Sequence, residues 1–228
     1  MERYLITQSL LSSWAYSFNA AEGYEEEAKA DFLRTLHREK SEPNENMLNG
    51  LEFESLCYKI AEEMFQPKWK AELGKCNPKT GEVQGRNVYP KFYEGACKVA
   101  PIIKGAPVQV KVARELQVGD MTFLVYGILD ALKAGTIYDI KFLNSSMGSS
   151  ELAGKYLESP QHPFYFYLVP EAFEFQYLVS DGKDLYIEKY SREDSRQASD
   201  CIAEFISSIT QLGLLDIYKE HWNANNEG

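Results

Sequence analysis

The sequence predicts an α/β domain of the α+β kind, in which helices flank a largely antiparallel sheet. Two kinds of segment support this prediction. Three stretches have helix-forming composition or a near-helical spacing of apolar residues, namely 5–40, 47–65 and 195–220. Three later stretches are rich in Val, Ile, Tyr and Phe and are expected to form an antiparallel meander, namely 108–112, 123–132 and 136–142.

The remaining elements follow from local signals. Residues 151–158 are expected to form a short helix, and Pro160 to open another that runs to about Leu168. Two further strands, 173–179 and 185–190, are joined by Ser-Asp-Gly-Lys, a strong hairpin signal. Residues 73–106 are rich in Gly, Pro, Asn and Lys, and only short strand pieces are expected there.

The length of 228 residues is sufficient for one large domain and short for two. We therefore expect a single domain over 1–228. Its expected parts are an N-terminal helical part at 1–45, a basic loop-rich insertion at 68–106 and a C-terminal helix at 195–228. No apolar run approaches the roughly 20 residues that span a bilayer, and the N-terminus lacks a secretory pattern, so a cytoplasmic protein is expected.

Charge is distributed unevenly along the chain. The net charge of -10 argues at first against a nucleic-acid partner. Residues 20–67 hold twelve acids and five bases, whereas residues 68–114 hold ten bases and three acids. A local basic surface of this kind can bind phosphates, although a solvated loop with chance charge would have the same composition.

The stretch GILDALKAGTIYDIKFL, residues 127–143, carries the main chemical signal. Asp130 lies in one apolar strand, and Asp139 and Lys141 lie in the next. If the hairpin loop has an even number of residues, Asp130 falls opposite Asp139, and Lys141 projects from the same face as Asp139. Facing carboxylates repel each other, and a divalent cation would turn this repulsion into coordination. An odd loop would place the two aspartates on opposite faces.

Further polar residues stand at helical spacing on either side. Glu54 lies four residues after Gly50 in a predicted helix, and Glu52 lies on a different helix face. Gln161 and Tyr165 are four residues apart and share one face of the helix after Pro160.

The order Gly-x-x-x-Glu, G-x-x-D, D-I-K and Q-x-x-x-Y resembles the RecB-like branch of the PD-(D/E)XK nucleases, which includes phage-type exonucleases. The resemblance covers about residues 50–190. It implies a restriction-endonuclease-like core around a central mixed, largely antiparallel sheet. The sequence Ser9-Leu-Leu-Ser-Ser-Trp14 is weakly similar to the N-terminal helix of that branch.

The resemblance also implies roles for single residues. Glu54, Asp130, Asp139 and the backbone carbonyl of Ile140 would bind Mg²⁺ or Mn²⁺. Lys141 would orient or deprotonate the attacking water and stabilise charge on the phosphate, and its pKa could be depressed beside the metal. Gln161 and Tyr165 would position Lys141 and the DNA backbone.

Some relatives carry an iron–sulfur cluster on four cysteines, three of them near the C-terminus. Here the cysteines are at 57, 76, 97 and 201, without a C-x-x-C pair. Reduced thiols and no cluster are therefore expected.

The expected activity is metal-dependent hydrolysis of DNA, foremost an exonuclease acting on DNA ends in phage-type recombination or repair. A single-strand annealing protein as partner, and a homo-oligomer, rest on family analogy alone. A structure-specific or single-strand endonuclease and a non-catalytic DNA-binding protein are the alternatives. Candidate DNA contacts are Ser9, Trp69, Lys75, Arg86 and Lys91.

Overall fold

The computed structural model describes residues 2–40, 42–63, 82–83, 86–87, 91–149 and 152–224. Its strands are β1 (Arg3–Thr7), β2 (Glu82–Val83), β3 (Arg86–Asn87), β4 (Val108–Val118), β5 (Met121–Lys133), β6 (Thr136–Phe142), β7 (Glu174–Ser180) and β8 (Leu185–Ser191). Its α-helices are α1 (Gln8–Asn19), α2 (Glu25–Leu36), α3 (Glu45–Glu63), α4 (Tyr93–Ile103), α5 (Gln161–Leu168), α6 (Ala198–Gln211) and α7 (Leu215–His221).

A six-stranded mixed sheet forms the centre, as predicted for a restriction-endonuclease-like α+β core. Strands β4, β5 and β6 form the expected antiparallel meander, and β7 and β8 form the expected hairpin. Two pairings are parallel, β1 with β5 and β6 with β7. The second of these needs a crossover connection, and α5 lies within it.

Three strands pair with β5, and two of them, β1 and β6, lie along the same edge of it. Strand β4 pairs with β5 along nearly its whole length. On the other edge, β1 pairs with residues 122–126 and β6 pairs with residues 131–133. Residues 127–130 therefore lie between β1 and β6 on that edge and pair with neither strand. We call this stretch the β5 gap.

Two apolar cores lie on opposite faces of the sheet. One includes Leu129 of β5 and residues of α1, α5 and α6. The other includes Ala131 of β5 and residues of α3 and α4. Because residues two apart in a regular strand point to the same face, the assignment of Leu129 and Ala131 to different cores shows that the alternation breaks at Asp130.

The first strand is attached to the last described helix. The backbone N–H of Leu5 donates to the carbonyl of Trp222 at 2.7 Å, and the Tyr218 hydroxyl donates to the Leu5 carbonyl at 2.9 Å. The Trp222 indole donates to the Leu36 carbonyl at 2.8 Å. Besides its pairing with β5, β1 is therefore hydrogen-bonded to residues more than 200 positions later in the chain.

The N-terminal prediction was wrong in part, because 3–7 form a strand and the helices α1 and α2 are separated by residues 20–24. Helix α4 was missed inside the segment expected to be loops. Its buried positions Tyr93, Ala96, Ala100 and Ile103 have helical spacing. The helix contains Pro101, which removes one backbone donor, and this helix-breaking residue obscures the pattern.

Two later predictions also need correction. The helix expected at 151–158 is absent from its described part, residues 152–158. Four-residue turns are found there instead, closed by hydrogen bonds from Lys155 to Leu152 and from Ser159 to Tyr156. The long C-terminal helix is divided into α6 and α7, and Gly213 between them has a φ of 71°. Positive φ favours glycine and ends a helix.

In the described part of the chain, no single helix is long and apolar enough to cross a membrane. Helices α6 and α7 meet that test only as a pair, with a bend of 117° between them.

Candidate active site

Strand β6 presents Asp139 and Lys141 on one face of the sheet. Asp139 is buried, with 6% of its surface exposed. Its Oδ2 lies 2.8 Å from Nζ of Lys141, whose side chain is one-third exposed. Ile140 between them points to the opposite face and packs in the core with α3 and α4. The Asp-Ile-Lys sequence therefore anchors the strand in one core and places two charges against the other face.

The predicted hairpin register is confirmed. Lys133 pairs with Thr136 around a two-residue turn, and Ala131 pairs with Tyr138. The next pair in this register would be Asp130 with Asp139, and here the ladder ends. Instead of pairing through its backbone, Asp130 accepts the Ile140 N–H at Oδ2, at 2.7 Å. The two aspartates are thus neighbours at the β5 gap.

The electrostatics of Asp130 are those of a crowded acidic site. Burial raises the pKa of the Asp130 carboxyl well above its ordinary value, and the negative charges of Asp139 and Glu54 raise it further. The hydrogen bond from Ile140 and the charge of Lys141 act in the opposite direction. Ionisation of Asp130 is therefore disfavoured unless a further positive charge is present.

The pKa of Lys141 is raised in the described structure, and the depressed pKa expected beside a bound metal stays a prediction. Burial lowers the pKa of Lys141, but the charges of Asp139, Asp130 and Glu54 outweigh burial and raise it above the ordinary value. Lys141 is therefore a cation at neutral pH in the described structure. This state suits stabilisation of negative charge better than proton abstraction.

Helix α5 approaches the same face. The Gln161 side-chain amide donates to Oδ1 of Asp139, and Gln161 is 4% exposed. The Tyr165 hydroxyl donates to the Ile128 carbonyl in the β5 gap, at 2.7 Å. Gln161 thus contacts Asp139 rather than Lys141, and Tyr165 donates to a backbone carbonyl of the β5 gap.

Gly127 allows this close approach of α5 to β5. A Cβ atom at Gly127 would lie 2.6 Å from Cε1 of Tyr165, and 3.1 and 3.2 Å from atoms of Leu168 and Phe164. The glycine of the G-x-x-D motif is therefore required by packing beside the site.

Glu54 reaches the site from α3, on the other face of the sheet. Its Oε1 accepts hydrogen bonds from the Tyr58 hydroxyl and from the Gln109 side-chain amide, each at 2.6 Å. The influence of its charge on Asp130 and Lys141 indicates that the carboxylate lies near both. Glu52, by contrast, is exposed.

Gln109 and Tyr58 were not predicted as part of the site. Tyr58 lies one helical turn after Glu54, so its spacing was visible in the sequence. Gln109 carries no such signal, because it lies 55 residues after Glu54 and meets it only through the fold of the chain.

The donor set suits a hard divalent cation, which takes oxygen ligands. Oδ2 of Asp139 is buried and, apart from the ion pair with Lys141, has no hydrogen-bond partner within the described residues. A buried carboxylate oxygen whose partner is a single ammonium group, and which lies beside a second acidic side chain, is where a cation would be stabilised. However, no three His, Cys, Asp or Glu side chains in the described ranges are gathered closely enough to form a ready-made metal site.

The predicted DNA contacts are only partly described. Ser9 is exposed in the first turn of α1, which begins beside the β5 gap because Thr7 pairs with Tyr126. Lys91 is exposed and donates to Oδ1 of Asn49 at 2.9 Å. Arg86 lies in β3, and its side chain is outside the described set. Trp69 and Lys75 lie outside the described residues. These contacts stay predictions.

Comparisons with known proteins give fold-level likenesses. The sequence matches no protein-family model and no curated protein. A crystal structure of SSO0001 is 14% identical, with a TM-score of 0.42, over 93% of this chain and 77% of that one. A crystal structure of LHK-Exo in complex with dAMP is 13% identical, with a TM-score of 0.43, over 95% of this chain and 90% of that one. At these TM-scores, neither likeness carries weight for the activity of this chain.

Proposed function

We propose that the protein is a divalent-metal-dependent deoxyribonuclease that hydrolyses phosphodiester bonds. The observation that supports this most strongly is the meeting of Asp130, Asp139 and Lys141 at the β5 gap. A structural ion pair would need one acid for one base. Here three carboxylates influence a single lysine, and the pKa of Asp130 is raised, first by burial and further by the charges of Asp139 and Glu54. Such excess buried acid is costly without a cation.

Each residue of the site has a different role in the proposed hydrolysis of the phosphodiester bond. Lys141, as a cation, stabilises negative charge on the scissile phosphate and orients the attacking water. Gln161 holds Asp139 in place, because its amide donates to Oδ1 and leaves Oδ2 towards Lys141. Tyr165 fixes the backbone of the β5 gap through the Ile128 carbonyl.

Mg²⁺ or Mn²⁺ is the cation that we propose for this site, with Glu54, Asp130, Asp139 and the Ile140 carbonyl as its ligands. When bound, it supplies Lewis-acid stabilisation of the phosphoryl oxygens and a lowered pKa of water. The hard oxygen donors suit these ions.

The motif resemblance supports three finer parts of the proposal. These are a preference for DNA ends, a role in recombination or repair, and a single-strand annealing protein as partner. An exonuclease is therefore the specific form of the proposal. A homo-oligomer and a cytoplasmic location belong to the same proposal.

Incubation of linear and circular DNA with Mg²⁺, Mn²⁺ or EDTA tests the activity, with wild type compared with Lys141→Ala. We expect wild type to degrade linear DNA with either metal, EDTA to stop the reaction, and Lys141→Ala to lose about 10²-fold or more in rate. Lys29→Ala is the matched control, because Lys29 lies in α2 and pairs with Glu26 away from the aspartates and from the candidate DNA contacts.

The outcomes separate the alternatives. Cleavage of circular DNA at a rate comparable with linear DNA would replace the exonuclease by an endonuclease. Binding of DNA without cleavage under any metal condition would overturn the enzymatic proposal in favour of a non-catalytic DNA-binding protein.

A further inference from the structure

A strained glutamine on β4 is hydrogen-bonded to Glu54. Gln109 has a φ of 51°, in the left-handed region that side chains other than glycine rarely adopt. It lies across from Asp130 in the β4–β5 register, between the pairs Val108–Ala131 and Val110–Leu129. The Gln109–Asp130 pair itself is absent from the ladder. The strain therefore occurs at the position where the strand alternation breaks beside the site.

Burial does not explain this conformation. Gln109 is exposed, so no core contact forces the backbone into the left-handed region. In this conformation, Nε2 of Gln109 donates to Oε1 of Glu54 at 2.6 Å, although the two residues are 55 positions apart. The same Nε2 lies 3.0 Å from the Tyr58 hydroxyl. Strain that is maintained in an exposed strand is typical of a functional constraint.

The two donors meet on the same carboxylate oxygen. Tyr58 and Gln109 both approach Oε1 of Glu54, and Oε2 has no hydrogen-bond partner among the described side chains and backbone groups. A carboxylate held through one oxygen offers the other oxygen to a ligand.

We propose that Gln109 is a positioning residue that, together with Tyr58, holds Oε1 of Glu54 so that Oε2 is offered to a divalent cation beside Asp130. This inference rests on the proposed metal-dependent function. Residues that orient a metal ligand typically change metal affinity by 10- to 100-fold when mutated. Gln109 therefore acts on the cation through Glu54, without contact to the substrate.

Mn²⁺ titration of the metal-free full chain, followed by electron paramagnetic resonance of free Mn²⁺, gives a readout independent of cleavage. We expect Gln109→Leu to weaken Mn²⁺ binding by roughly 10-fold or more. Gln117→Leu is the matched control, because Gln117 lies on the same strand and donates to the Gly119 carbonyl away from the site. It should bind Mn²⁺ as wild type does.

Two further variants distinguish positioning from general structural support. Gln109→Gly removes the side chain and relieves the positive φ, so we expect weaker Mn²⁺ binding together with a Tm raised by about 2–4 °C. If Gln109 only supported the fold, Gln109→Gly would lower both the affinity for Mn²⁺ and the Tm. In a Glu54→Ala background, Gln109→Leu should cause no further loss of Mn²⁺ affinity, because its effect acts through Glu54.

Failure of the inference and failure of the proposed function give different results. If wild type cleaves DNA and binds Mn²⁺, but Gln109→Leu binds it equally well, this inference is overturned and the nuclease proposal stands. A further loss of affinity from Gln109→Leu in the Glu54→Ala background would also overturn it. If wild type neither binds Mn²⁺ nor cleaves DNA, the proposed function fails and this inference with it.

Discussion

Replacing Gly127 by alanine should displace α5 from the site. The new Cβ would lie 2.6 Å from Cε1 of Tyr165, where an ordinary carbon–carbon contact is about 3.5–4.0 Å. Phe164 and Leu168 lie at 3.2 and 3.1 Å from the same Cβ and are also buried, so the side chains of this helix face cannot move independently. The helix must therefore shift by about 1 Å to restore normal contacts.

The expected losses of stability and of cleavage rate follow from this displacement. Overpacking of a buried position costs about 1–3 kcal/mol, and for a protein of this size 1 kcal/mol corresponds to about 2–4 °C in Tm. We expect Gly127→Ala to lower Tm by about 2–12 °C. The hydrogen bonds from Gln161 to Asp139 and from Tyr165 to Ile128 would be misaligned, and a 1 Å misplacement can reduce the rate by about 10²-fold.

Thermal denaturation followed by circular dichroism, together with cleavage of linear DNA, measures both effects. Gly50→Ala is the matched control, because it is the same substitution in the interior of α3 with no atom within 4 Å of the new Cβ. It should raise stability by about 0.5–1 kcal/mol. A Gly127→Ala variant with the Tm and cleavage rate of wild type would refute the packing argument.

Three further outcomes are expected. Because burial raises the pKa of Asp130, the folded protein retains a proton that the unfolded chain releases, and stability falls as pH rises from the ordinary aspartate value to the raised one. Metal-free Asp130→Asn should lack this fall in Tm measured against pH. Burial lowers the pKa of His162 to about 4, so stability falls as pH drops from about 6.5 towards 4. His162→Phe should reduce that acid sensitivity in urea titrations, and an unchanged pH profile would contradict the assignment. Ala134 has a φ of 50° in the β5–β6 turn, so Ala134→Gly should raise Tm by about 2–4 °C, and a lower Tm would show that the turn is unstrained.

Local sequence signals predicted the meander, and they predicted its register on the condition of an even hairpin loop, which the structure shows. The two-residue turn at Ala134-Gly135 is formed by adjacent residues, and it alone fixes which residues of β5 and β6 face each other. The neighbouring positions of Asp130 and Asp139 could therefore be predicted without knowledge of the rest of the fold.

Predictions that depended on tertiary packing were less successful. Residues 151–158 have helix-forming composition, but Tyr156 stacks on Tyr177 of β7 with ring centroids 4.2 Å apart, and Gly154 adopts a φ of 74°. These contacts outweigh a helical propensity of a few tenths of a kcal/mol per residue. Gln109 could not be found for a related reason, since its role depends on a strained backbone and on a helix 55 residues earlier in the chain.

The hydrogen bonds between β1 and α7 have a consequence for the order of folding. During synthesis α7 is made after every other described element, and until it is available Leu5 lacks its partners in Tyr218 and Trp222. Contacts separated by more than 200 residues carry a loop-closure cost that must be met late. The edge of β5 beside Asp130 would then be completed only near the end of folding. A growing chain that has not yet reached α7 would hold the aspartates without a finished site, which would delay the proposed nuclease activity until α7 is in place.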